Sequence, residues 1–265
     1  MHPRALQILA FAALTGASLG SASSPAMPPA GEVLVGLTSG STAAVSGELV
    51  RIDPTDGKTR PLTTIDAQGG HGSPSDLVRT PNGKGLLVAQ IEFLQQGTFS
   101  RLQHVEARTG KVRKLVDVGP GGLDCLAWDA QGRLLATLSP SAGGNQQLVE
   151  LDPASGKTTV RGPLNGTFLR SLAFGPGHQP LYGLQTAGAT WPDALVTVDP
   201  ADGTLLSIVR LELSEAATAL EVESDGTVLV IGAAHTLFEV DPATGKGQAR
   251  GRTAKVLVVG LDTLP

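Results

Sequence analysis

Hydrophobic positions in this chain come in short runs, each closed by a polar turn. One unit recurs five times: a leucine, an apolar residue three positions on, an acid directly after it, and a glycine four residues beyond the acid. The copies are Leu49-Val50-Arg51-Ile52-Asp53-Pro54-Thr55-Asp56-Gly57, Leu102 to Gly110, Leu148 to Gly156, Leu195 to Gly203 and Leu237 to Gly245. The closing glycines lie 42 to 53 residues apart. The stretch before each acid is apolar at most positions and does not alternate, so both faces of the strand it predicts are covered.

The turn chemistry is legible in Asp241-Pro242-Ala243-Thr244-Gly245-Lys246. The aspartate accepts a backbone N–H two residues on, proline presets φ, and glycine takes the left-handed conformation that returns the chain. A second hairpin sits between these units. Leu77-Val78-Arg79-Thr80-Pro81-Asn82-Gly83 leads into Leu86-Leu87-Val88, and Leu126-Ala127-Trp128-Asp129-Ala130-Gln131-Gly132 leads into Leu134-Leu135-Ala136. Leu172 to Gly177 and Leu220 to Gly226 repeat the arrangement. Two hairpins per repeat make four strands.

A repeat of about 40–50 residues built this way is a propeller blade. The expected fold is all-β: a five-bladed β-propeller of four-stranded antiparallel blades. The ends complete the ring. Glu32 to Leu37 reads as a second strand without its first, and Lys255 to Leu261 as a first strand without its second. N- and C-terminal strands sharing one blade remove the exposed edges between first and last repeat. The expected blades are 254–265 with 31–65, then 74–118, 123–165, 168–213 and 216–252. Arg60, Arg113, Lys114, Arg161, Arg210 and Arg250 fall on the outermost strands and read as a solvated, aggregation-resistant face.

Composition narrows the function classes. With 41% hydrophobic and 17% charged residues, the chain is globular, and 34 glycines and 18 prolines suit frequent tight turns. A net charge of -4 with no basic stripe makes nucleic acid an unexpected partner. Aromatic residues are only 3%, which weakens a case for extensive stacking on sugars or bases. The single cysteine, Cys125, has no intramolecular partner and sits between Leu123, Leu126 and Trp128, as an inert core residue would.

Residues 1–22 read as a signal peptide: Arg4, an apolar run Leu6 to Leu14 too short to span a bilayer, then small residues around Gly20-Ser21-Ala22. Residues 23–30 read as a Pro/Ser/Ala linker and 31–265 as the propeller domain. The expectation is a secreted or periplasmic, monomeric protein with no membrane segment in its mature part.

Leu172-Ala173-Phe174 with Leu181-Tyr182-Gly183 and Val198-Asp199-Pro200-Ala201-Asp202-Gly203 resembles the exported bacterial propeller-repeat proteins, the loose group with YVTN, NHL and PQQ-like repeats. These motifs are structural turns, so the resemblance implies a fold and supplies no catalytic residues. Asn165-Gly166-Thr167 is a glycosylation sequon, meaningful only in a eukaryotic secretory pathway.

The connections opposite the tight turns, Asp66 to Ser75, Gln90 to Ser100, Leu138 to Gln147 and Gln185 to Asp193, are longer and irregular, and that rim is the default place for a site. Asp124 and Arg170 occupy equivalent positions two before the first-strand leucine, with Ser75, Thr218 and Lys255 in the other repeats. They form either a polar ring at the channel mouth or a structural ion pair between blades. His71 and His235 sit in loops as ligands or as solvated histidines, and Trp191 either stacks on a ligand or caps a blade. Trp128 reads as packing between blades.

No Cys-x-x-Cys, His-Glu-x-x-His, Gly-x-Ser-x-Gly or Walker pattern is present. The leading expectation is therefore a non-catalytic scaffold that binds a protein or a small ligand and needs no cofactor. The alternative is a hydrolase similar to the propeller lactonases, with a divalent cation such as calcium on Asp76, Asp124 and Glu92.

Overall fold

The computed structural model describes residues 33–39, 45–66, 72–140, 144–186, 193–253 and 257–264. They form twenty strands. The first three are β1 (Val33–Ser39), β2 (Val45–Ile52) and β3 (Thr59–Asp66). The next four are β4 (Ser73–Arg79), β5 (Gly85–Leu94), β6 (Gly97–Glu106) and β7 (Val112–Pro120). Then come β8 (Gly122–Trp128), β9 (Leu134–Ser139), β10 (Gln147–Leu151) and β11 (Thr158–Pro163). β12 (Leu169–Phe174), β13 (Leu181–Gln185), β14 (Ala194–Val198) and β15 (Leu205–Arg210) follow. The last are β16 (Ala217–Val222), β17 (Val228–Gly232), β18 (Thr236–Val240), β19 (Gly247–Arg252) and β20 (Val258–Leu264).

Strand pairing yields five four-stranded antiparallel sheets. Four are consecutive in sequence, and the fifth has the order β20-β1-β2-β3. The protein is a five-bladed β-propeller whose first blade is closed by its last strand. The inner strands β20, β4, β8, β12 and β16 contact one another in a ring.

Both faces of each sheet are covered, as the continuous apolar runs require, and one core cluster fills each of the five blade interfaces. Leu34, Val50 and Ile52 of the first blade pack on Ala219, Leu229, Ile231 and Leu237 of the fifth. Cys125 is fully buried at another interface, and its thiol donates to the Leu169 carbonyl at 3.3 Å. Trp128 packs against the cluster between the second and third blades.

The hairpin chemistry appears as read. Asp241 Oδ1 accepts the Ala243 N–H at 2.9 Å, and Gly245 has φ +75. Asp53, Asp152 and Asp199 repeat the side-chain bond. Glu106, one methylene longer, instead accepts the Thr109 hydroxyl and Arg113. These turns also lock the circumference: a Cβ at Gly156 would lie 2.1 Å from the Asp117 carbonyl of the preceding blade.

Three features differ from the sequence reading. Gln90 to Ser100 is a regular hairpin and not an irregular connection, because β5 and β6 stay paired as far as Leu94 and Gly97. The closing strand begins at Val258, and Leu261 pairs with Gly36 as the counterpart of the inner-strand leucines, so the terminal register is four residues further on than Leu257 implied. Arg250 is no solvated charge. It is 10% exposed, binds Glu239 Oε2 at 2.8 Å and donates to the Pro54 carbonyl at 3.1 Å, clamping the fifth blade to the first.

Candidate functional site

Each inner strand has one blade partner, so its other edge presents backbone N–H groups to the channel. Side chains of neighbouring strands satisfy several of them, as buried donors require. Asp76 on β4 accepts the N–H of Leu77 at 2.9 Å and, across the blade boundary, that of Leu126 at 2.8 Å. Asp262 on β20 accepts the Arg79 N–H. Ser171 accepts the Leu220 N–H at 3.3 Å. Burial pushes the Asp76 carboxyl well above the usual carboxylate range, against the lowering effect of its two N–H donors.

Every inner strand skips one residue in its pairing, and the skipped residues are Ser75, Asp124, Arg170, Thr218 and Val259. Four of them are the ring read from the sequence. Val259 takes the place assigned to Lys255, which lies outside the described residues. Asp124 and Arg170 do not meet as an ion pair. Asp124 Oδ2 accepts Ser139 Oγ at 2.6 Å and Gln146 Nε2 at 2.8 Å, while Arg170 is exposed. Burial raises the Asp124 carboxyl, while Ser139, Gln146 and the Arg170 charge oppose the shift. His235 stands at φ +71 in the β17–β18 turn, where its carbonyl accepts the Thr253 N–H at 2.7 Å. His71 and Trp191 lie outside the described residues, as does much of the irregular rim.

A cavity of about 600 Å³ opens on the opposite, tight-turn rim. All five inner strands line it. The pairing registers place Val78, Ala127, Ala173, Glu221 and Asp262 at one level of the channel, with Arg79, Trp128, Phe174 and Val222 at the next level outward. Glu223 and His178 complete its polar wall. His178 stands at φ +59 in the turn after Phe174, with its ring edge-on to Phe174 at 6.0 Å. Burial first, then the charges of Asp262 and Asp76, push the Glu221 carboxyl well above its usual value, and Arg79 works against them.

Glu221 and Asp262 were not singled out from sequence, although a signal was present. In the fourth internal hairpin, Leu220-Glu221 stands where the others have Leu77-Val78, Leu126-Ala127 and Leu172-Ala173. Asp262 was hidden by the four-residue register difference in the closing strand.

The carboxylates proposed for calcium do not fit a cation cage. Asp76 holds two backbone N–H groups, Asp124 holds Ser139 and Gln146, and Glu92 pairs with Arg101 at 2.8 Å. Among the described residues, no three His, Cys, Asp or Glu side chains converge to hold a metal ion.

No family model and no curated protein matches the chain. Solved structures do resemble it. A periplasmic gluconolactonase of Pseudomonas aeruginosa is 15% identical over 82% of this chain and 81% of its own, with a TM-score of 0.48. A putative 6-phosphogluconolactonase from Bacteroides uniformis is 15% identical over 82% of this chain and 66% of its own, with a TM-score of 0.43. A protein of unknown function from Bacteroides caccae is 14% identical over 82% and 72%, with a TM-score of 0.46. At these scores the likenesses carry no argument about activity, and the architecture rests on the strand pairing itself.

Proposed function

We propose that this protein is an exported, non-catalytic propeller that binds a small organic molecule in its central channel. The observation that carries this reading is the cavity of about 600 Å³ on the tight-turn rim, lined by all five blades. It sets the apolar side chains Val78, Ala127, Ala173 and Phe174 beside the polar groups Arg79, Glu221, Glu223 and Asp262, so a small molecule with both kinds of surface can be held and oriented there. A rigid ring holds these groups in place, so binding needs little ordering of the protein. Export is supported by Arg4, the apolar run Leu6 to Leu14 and the small residues after it.

A thermal-shift screen of polar metabolites against the purified protein tests the reading. Ala130 is exposed and lines the cavity mouth, so Ala130→Trp places a ring across the opening. A ligand present at about 100 times its Kd stabilises the fold by about 2.7 kcal/mol. The expected result is at least one compound that raises the melting temperature of the wild type and not of Ala130→Trp. Shifts equal in the two proteins place binding elsewhere and defeat the proposal.

A further inference from the structure

Equivalent positions of the five inner strands are expected to carry similar residues, because each blade meets its neighbours in the same way. At the level of Val78, Ala127 and Ala173 the ring breaks this rule, and the break is confined to two adjacent blades. Glu221 of β16 and Asp262 of β20 replace small apolar residues there. The alanines leave the space, and the acids border it.

Glu221 differs from the other buried acids. Asp76 and Asp124 hold donors of the protein, and Asp262 holds the Arg79 N–H. The backbone of Glu221 pairs with Leu229, but its carboxyl makes no hydrogen bond or salt bridge with a described residue, although Leu220 and Val222 on either side of it are buried. It is surrounded by protein and still keeps part of its surface open to the cavity it lines. A carboxylate with no partner in such a place is costly, and a ligand donor removes that cost.

The charged groups that act most on Glu221 are Asp262 on β20, Asp76 and Arg79 on β4, and Glu223 just beyond the end of its own strand. Three of the four are acidic. Glu223 in turn has Arg250 at 3.9 Å. Of these four groups, the three carboxylates raise the Glu221 carboxyl and the one arginine opposes them.

We propose that Glu221 and Asp262 form the seat for the ammonium head of a small organic cation in the channel cavity. The inference rests on the channel being the ligand site. The carbon part of the cation lies against Val78, Ala127 and Ala173, between Trp128 and Phe174. No covalent bond changes. Below the raised titration of Glu221 the site holds a proton, and binding exchanges it: the carboxylic acid and the ammonium become a carboxylate–ammonium pair, and one proton passes to the buffer. Affinity therefore rises with pH until Glu221 is ionised in the free protein, by up to about tenfold per pH unit.

The test titrates the purified protein with n-butylammonium chloride, with n-butanol as the neutral probe of the same length. Binding is read by calorimetry in two buffers of different ionisation enthalpy, and by thermal shift. The expected result is saturable butylammonium binding that strengthens from pH 5 to pH 8. About one proton is released per cation at the acid end. Butanol has no effect, and binding is lost in Glu221→Gln. That variant keeps the side-chain shape and removes a costly charge, so it folds. Equal butylammonium affinity in Glu221→Gln, affinity flat with pH, or no butylammonium binding overturns the cation seat. If neutral compounds still give shifts that Ala130→Trp abolishes, the channel remains the ligand site and only its cation chemistry falls. If no compound of either kind does so, both readings fall.

Discussion

Gly132 and Gly156 have nearly the same backbone, φ +72 and φ +75, but different surroundings. A Cβ at Gly132 meets nothing within 4 Å, whereas one at Gly156 meets the Asp117 carbonyl at 2.1 Å. Gly132→Ala should cost only the left-handed strain, about 1 kcal/mol. Gly156→Ala adds a backbone collision between blades and should cost about 2–4 kcal/mol. Urea unfolding of the two variants separates turn chemistry from blade packing; equal losses would show that the blade contact is unimportant. The titrating residues also act at this scale. Burial raises Asp76 and Glu221, so the fold holds their protons more tightly than the unfolded chain does. Their contribution is fully present below the unfolded values of 3.8 and 4.5 and is lost as pH rises through the folded values. The turn aspartates run the other way. Asp53, Asp152 and Asp241 are lowered, chiefly by side-chain hydrogen bonds from Thr55, Ser155 and Thr244, and lose their contribution as pH falls through their folded values. The melting temperature should therefore peak at mildly acidic pH, and Glu221→Gln should flatten the alkaline side of that profile. An unchanged alkaline limb in the variant would remove Glu221 as its cause.

At the scale of the element, β20 does what no other strand does. It pairs with β1 and carries Val258 and Leu261 into the core cluster between the first and fifth blades. It also supplies Asp262, whose carboxylate accepts the Arg79 N–H of β4. Removing residues 258–265 exposes the β1 edge and opens the ring at two interfaces. Burial of each large apolar side chain contributes about 1.5–3 kcal/mol, so the loss is comparable to the whole stability of a typical domain. The truncated chain should lose its single cooperative melt, monitored by circular dichroism. A retained sharp transition near the wild-type temperature would contradict closure by this strand. The four-residue register difference of β20, Leu261 in place of Leu257, has a plain cause. Leu257 and Leu261 both lie in the apolar run from Val256 to Leu261, and only pairing with β1 chooses between them.

For the whole molecule, the carboxylates offered by the sequence for calcium are each engaged by protein donors. Addition of calcium or of EDTA to the purified protein should leave the melting temperature within about 1 °C, because a ligand stabilises only through binding the native state. A saturable rise with calcium would place a metal either on the channel acids Glu221 and Asp262 or on residues beyond those described. The ring also distributes stability, because the turn between the third and fourth strands of a blade ties it to its neighbour at the circumference. His104 contacts the Pro153 carbonyl at 2.9 Å, and Lys114 donates to that of Ala154 at 2.6 Å.

The five turns, the strand count and the shared first blade were all legible in the residues. Asp-x-x-x-Gly turns act over a few positions, so their information is local, and their spacing counts the blades. The same locality explains what was missed. The channel takes one residue per level from each blade, and Glu221 and Asp262 come together only when the register of every inner strand is set. Asp124 and Arg170 were equivalent by position, as read, and the bulge in each inner strand places them alike. Equivalence in a ring puts residues at the same height and does not make them touch. Sequence alone determined the repeat, the hairpins and the closure, because turns and apolar runs are short-range. Tertiary structure alone decided which acids face the cavity, since that depends on strand registers fixed by pairing across the ring.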